Sequence, residues 1–297
     1  MKLSISLSLF ITFLLVSIMY LETSAGNSKE NPQAVNHACK LLKSAVEKGD
    51  INLVKKLIRE MRVRESQLVC IKYAIKQTLP TGERKQFQSF RYLVEGLLSM
   101  NLLDEQIILN KLLQDYAIVY LSNDPWYTEY LLGVGALPKM PNKSGQFPVV
   151  SALWAVNDYG DCDTPRLLIN ASNPEMLVLQ NKNGETPLMQ SIGIGYLCPD
   201  ELKLLAKKSA GLDIVDHKGN TSLHYLLLKI KRDMELGKEV NAIDLELLCI
   251  LLKRGASIKI ANKQSITPSQ LLTDLQDKGY KCYEEKNLQL YKKQANK

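Results

Sequence analysis

The stretch DHKGNTSLH, Asp216 to His224, decides the fold, because related stretches recur on both sides of it. Upstream stand NKNGETPL (Asn181 to Leu188) and NKSGQFPV (Asn142 to Val149). Downstream stands NKQSITP (Asn262 to Pro268), with Ser265 where the others carry glycine. The equivalent positions Gly145, Gly184, Gly219 and Ser265 lie 39, 35 and 46 residues apart, a spacing that signals stacked units with one insertion. Within each copy a polar residue followed by glycine makes a tight turn, since glycine accepts the positive φ such turns often need. Thr186 and Thr267 then cap a helix through their hydroxyls, and Pro187 and Pro268 fall at the first helical position, where a missing N–H costs nothing. Each copy therefore reads as a turn feeding a helix.

These residues resemble the ankyrin repeat, whose signature is an acidic or amide residue, two variable residues, Gly, any residue, then Thr-Pro-Leu-His. Asp216, Gly219, Thr221, Leu223 and His224 match it, with Ser222 in place of proline. Asn181, Gly184, Thr186, Pro187 and Leu188 match it again, with Met189 in place of histidine. The resemblance implies an all-α, ankyrin-type helical-hairpin solenoid. It also implies a structural His224, hydrogen-bonded between neighbouring turns.

The signature covers residues 142–272, and helix pairs at a similar spacing extend the array back to Ala38. Ala38 to Met61 reads as a helix, a turn at Gly49 and Asp50, and a second helix with Val54, Leu57, Ile58 and Met61 on one face. Further pairs are expected over Gln67–Gln77 with Glu83–Ser99, and over Glu105–Leu121 with Trp126–Leu132. The second of these helices has a stripe of Phe90, Leu93, Val94, Leu97 and Leu98. From Asn142 the expected helices are Pro148–Val156, Pro165–Asn170, Glu201–Ala210, Leu223–Ile230 and Asp244–Lys253, with Gly211 and Gly255 closing two of them. A charged loop is expected near residues 231–241, and Tyr280 to Lys293 is polar enough to cap the array.

The organisation is then a signal peptide over residues 1–25, a flexible lead-in over 26–33, and about seven helix pairs over 34–297, the first and last degenerate or capping. The leader rests on Lys2, an apolar run from Leu3 to Leu21, and small residues at Thr23 and Ala25 that suit cleavage after Ala25. An uncleaved membrane anchor over residues 3–21 is the alternative. The six cysteines of an exported chain raise the question of disulfides. Most of them read as unbridged: Cys70 and Cys249 lie in apolar runs and read as free, packed thiols, and Cys162 and Cys198 read as more exposed, with a bridge between them the less favoured alternative.

A chain of 297 residues, 45% apolar and 23% charged, has enough material for a sizeable core and is not broadly disordered. Nothing in it resembles catalysis or a cofactor site. The three histidines, His37, His217 and His224, fit no metal or nucleophile motif, and Asp161 and Asp163 beside Cys162 read as a solvated turn. No cofactor, metal or small-molecule substrate is expected. The binding candidates are instead Lys143, Lys182 and Lys263, two residues ahead of the glycine position, with His217 and Lys218 in the remaining copy. Stacked units would set them in a cationic row along one edge. Trp126, with Tyr127 and Tyr130, is a second candidate anchor, set against burial within its own unit.

The reading is an exported, secreted protein that binds another protein through its turn tips and concave face. The partner is expected to be acidic, and a host-cell protein if a microbe living inside a host cell delivers the chain. Two alternatives stay open: an enzyme with a site in residues 65–135, and a nucleic-acid or membrane-surface binder. The latter would use the tail from Lys278 onward, with its six lysines against Glu284 and Glu285, within a net charge of +7.

Overall fold

The structure is a computed structural model that describes residues 32–60, 69–71, 73–74, 84–100, 105–116, 125–156, 162–192, 194 and 197–277. Among these residues the chain is all-helical, without a strand. It divides into two compact units, Met1–Glu105 and Gln106–Lys297. The expected leader over residues 1–25, the LPTG turn at 79–82 and the basic tail from Lys278 lie outside the described residues.

In the first unit, α1 (Pro32–Glu47), α2 (Ile51–Glu60) and α3 (Arg84–Leu98) pack on one another, with further helical residues at 69–71 and 73–74. Helix α1 begins inside the expected flexible lead-in, at Pro32, because the fixed φ of proline suits a first helical residue. It closes at Gly49, whose φ of 64° lets the N–H groups of Gly49 and Asp50 return to the carbonyls of Val46 and Ala45. Asp50 then starts α2 by accepting the Leu53 N–H at 3.0 Å, as expected of an N-cap. Val54, Leu57 and Ile58 of α2 are buried, and so are Phe90, Leu93, Val94 and Leu97 of α3.

One expectation is overturned here. Cys70 is not a free packed thiol; it is bonded to Cys39 of α1, with the Cα atoms 4.4 Å apart. Both residues are buried, so the apolar surroundings that suggested a packed thiol enclose a bridge instead. Cys249, read in the same way, is also disulfide-bonded, and no described cysteine is free.

The second unit holds α4 (Glu105–Tyr116), α5 (Trp126–Gly133), α6 (Pro148–Ala155), α7 (Asp163–Ala171), a 3-10 turn (Met176–Val178), α8 (Pro187–Ser191), α9 (Pro199–Lys208), α10 (Ser222–Glu235), α11 (Ala242–Lys253) and α12 (Pro268–Asp277). From α5 onward the helices form two rows. Helices α6, α8, α10 and α12 each follow one of the recurrent turns, and each packs against the next of that set. Helices α5, α7, α9 and α11 form a second row in the same way, while α6 with α7, α8 with α9 and α10 with α11 pair across the rows. Leu223, Leu226, Leu227 and Ile230 of α10, all buried, show why: apolar residues three and four apart line a stripe that only a neighbouring helix can cover. Each such side chain contributes about 1.5–3 kcal/mol by leaving water.

The largest departure from expectation in this unit is at residues 231–241. Lys231 to Glu235, expected in a loop, continue α10, helped by the i, i+4 pair of Lys229 and Asp233 at 2.8 Å. The helix ends at Glu235, with Gly237, φ 72°, just beyond it, and α11 starts two residues before the expected Asp244, its cap Asn241 accepting the Ile243 N–H. Helix α7 likewise begins at Asp163, with Cys162 as its N-cap residue, and α9 ends at Lys208, leaving Gly211 in the turn beyond.

The second row is cross-linked along its length. Cys162 and Cys198, which precede α7 and α9, form a bridge, although the sequence reading favours leaving them unbridged. Arg166 of α7 reaches the buried Glu201 of α9 at 2.5 and 2.9 Å, and Lys203 of α9 reaches Glu246 of α11 at 3.0 Å. At the other helix ends, Lys208 donates to the carbonyls of Ile169 and Asn170, and Arg254 to those of Ala206 and Ser209. A cation on one helix thus satisfies the orphan carbonyls, and the negative dipole end, of the helix before it. Replacing Cys162 and Cys198 together by serine is expected to lower stability by about 2–4 kcal/mol, read from urea melts of the oxidised chain. Wild-type protein melted under strong reductant should lose at least as much.

Candidate functional site

The four recurrent turns are one structure built four times. Asn142, Asn181, Asp216 and Asn262 each place a side-chain oxygen between two backbone N–H groups, those two and four residues on, at 2.7–3.0 Å. The backbone of each turn closes on itself as well, from Asn142 N–H to Gln146, Asn181 to Glu185, Asp216 to Asn220 and Asn262 to Ile266. After the turn, Thr186, Thr221 and Thr267 accept the N–H three residues on, at 3.3–3.4 Å, and so cap α8, α10 and α12. The return bond to the threonine N–H comes from whatever acceptor stands there: Met189 sulfur, His224 Nδ1 or Gln270 oxygen. His224 is fully buried, and because its Nδ1 accepts, its Nε2 carries the proton and donates to Ile266 O of the next turn at 3.1 Å. This is the role the resemblance implied.

Glycine is required by the close approach of the following turn. At Gly184, φ 78°, an added Cβ would lie 2.9 Å from the His217 backbone nitrogen; at Gly219, φ 82°, it would lie 2.9 Å from that of Lys263. Those contacts accompany hydrogen bonds between turns, from His217 N–H to Asn183 O at 3.0 Å and from Lys263 N–H to Lys218 O at 2.9 Å. Among the described residues no further turn follows the fourth copy. Ser265 there keeps the left-handed backbone, φ 60°, with its side chain exposed.

The charged groups of the turns are sorted by sign. Asp216 is buried and takes both the N–H groups of its turn and the Tyr225 hydroxyl, at 2.9 Å. Glu185 is half-buried. Burial pushes its carboxyl up, but hydrogen bonds from Asn181, Tyr225, Asn183 and Gln190 outweigh that and hold it below the ordinary glutamate value. Burial and these same two carboxylates push the Tyr225 phenol far above its ordinary range, so it remains a donor. In contrast, Lys143, Lys182, His217, Lys218 and Lys263 are all exposed, and none of them is ion-paired among the described residues.

The aromatic candidates separate. Trp126 and Tyr130 are half-buried on α5 and Tyr127 is buried, so this group belongs to the second row of helices. Trp154, which sequence reasoning passed over, is 57% exposed on α6. It is the seventh residue of that helix, and the seventh residue of α10 is the half-buried Leu228. Counting from the turn to equivalent helical positions would have singled it out. The one group of metal-ligand types among the described residues, Cys162, Cys198 and Glu201, has its sulfurs bonded to each other and its carboxylate on Arg166. Neither protein-family models nor curated proteins match the chain.

Two outcomes follow from the turn geometry. Gly219→Ala is expected to cost about 2–4 kcal/mol, from left-handed strain plus collision with Lys263, whereas Ser265→Gly should gain about 0.5–1 kcal/mol; thermal or urea unfolding of each variant checks this. The depressed Glu185 carboxyl contributes stability that is present above its unfolded pKa and is lost as pH falls through its folded value. Glu185→Gln should therefore flatten the acid side of a stability-against-pH profile while leaving helix content unchanged.

Proposed function

We propose that the second unit is an ankyrin-type solenoid that binds another protein along its turn tips and concave face, in a chain exported from the cell that makes it. The observation that carries this reading is the ladder of four equivalent turns, each hydrogen-bonded within itself and presenting an exposed lysine that has no counter-ion among the described residues. Four cations of the second row, Arg166, Lys203, Lys208 and Arg254, by comparison each hold a partner within the fold. A soluble protein can carry unpaired surface lysines singly, but a repeated set beside inward-turned carboxylates is the form of complementarity that steers an acidic partner and fixes its register. The disulfides support export, since such bonds persist in oxidising compartments.

The test is capture by the exported chain, followed by identification of what is captured, in parallel with a variant carrying Lys143→Glu, Lys182→Glu, Lys218→Glu and Lys263→Glu. Capture is expected to fall at least about tenfold, and more at low salt than at high, with the circular dichroism spectrum unchanged. Equal capture by the two proteins would remove the cationic row from the mechanism.

A further inference from the structure

Taking the binding reading above as its premise, we infer that the partner segment is an extended, proline-rich strand with an acidic residue at every third position. The spacing of the ladder leads to this. Helices packed side by side lie about 8–10 Å apart, which sets the distance from one turn to the next. A polyproline II helix has three residues per turn and rises about 3.1 Å per residue, so every third side chain falls on one edge about 9 Å from the last. Carboxylates at that period meet Lys143, Lys182, Lys218 and Lys263 in succession, and about ten residues span the set. A β-strand fails the match, because its side chains alternate faces and the third residue points away.

The helices that these turns open also carry apolar side chains at one equivalent position. Trp154 stands 57% exposed on α6, the helix that the first of these turns opens, and Leu228 stands half-buried at the equivalent place on α10. An exposed indole is the surface on which proline rings dock in polyproline recognition. The two acidic side chains of the turns, Glu185 and Asp216, are half-buried and buried and are held on donors of the fold, whereas the lysine tips are exposed.

The test uses the exported chain with its disulfides intact and dye-labelled peptides, read by fluorescence anisotropy. The first peptide is four Glu-Pro-Pro triplets; the second has the same composition with its glutamates in one block; the third is a longer helix of about 22 residues with four glutamates, one at every seventh position. The triplet peptide is expected to bind at least about tenfold tighter than the block peptide. Reversing the four lysines should weaken it about thirtyfold, and Trp154→Ala should weaken it several-fold while leaving a plain polyglutamate peptide unaffected. Equal binding of triplet and block peptides, or tighter binding of the helical one, would overturn the inference. If no peptide binds while partner capture still depends on the lysines, the extended segment is wrong and the binding reading stands. Capture indifferent to the lysines would remove both.

Discussion

The second unit depends on one arrangement: a side-chain oxygen at the start of each turn holding two backbone N–H groups, with a glycine three residues on whose missing Cβ admits the next turn. The oxygen fixes the turn from inside, as at Asp216, where the N–H groups of Lys218 and Asn220 lie 2.8 and 2.7 Å away. The glycine lets neighbouring backbones come close enough to bond, as Lys263 does to Lys218. Helices α6, α8, α10 and α12 are launched from these turns, so their mutual packing is inherited from the ladder. That is also why the fourth copy tolerates Ser265. Where no described turn follows, a Cβ meets nothing, and only the modest strain of its φ remains.

The two rows of the second unit answer to different demands. In the second row, charge is used to join one helix to the next: Arg166 to Glu201, Lys203 to Glu246, Lys208 and Arg254 to the carbonyl ends of their predecessors. A buried partner such as Glu201 makes these links stronger than exposed pairs, and the buried Asp244 that holds Lys229 does the same between the two rows. At the turns, the carboxylates are consumed by hydrogen bonds inside the fold and the ammonium groups face water. The second row thus uses several of its cations to join helices, while the turns carry theirs exposed to solvent.

The turns were legible in the sequence because their chemistry is local. The turn oxygen of Asn181, the positive φ of Gly184, the cap Thr186 and Pro187 each act within a few residues, and a reading of residue types places them correctly, although the approach of the next turn to Gly184 is not local. Cys70 was not legible, since the same apolar neighbours surround a packed thiol and a buried bridge, and only the fold brings Cys39 to it. The even number of cysteines carried a signal, but it does not name the pair. The extension of α10 through Glu235 was missed for a related reason: a run of charges reads as a loop unless the i, i+4 partners are matched, and Lys229 with Asp233 is such a match. Trp154 escaped because its exposure depends on helix register, counted from a proline, Pro148, that carries no threonine cap before it.

The position of the second disulfide has a physical reason of its own. Helices in such rows touch mainly their neighbours, so the stability of the set is close to a sum of adjacent contacts, and its weakest member limits it. That member is α8, five residues long, followed by Gly193 and Gly195, both poor helix formers. A helix of one and a half turns buries little on its own account. The bridge from Cys162 to Cys198 closes a 36-residue segment that contains this helix and ties α7 to α9 across it. Restricting the unfolded chain there offsets the burial that α8 lacks, and the pair Arg166 and Glu201 acts across the same two helices. The covalent staple therefore sits where the ladder of turns is least supported by the helices it launches, keeping Lys143 and Lys182 in the same register as the turns that follow.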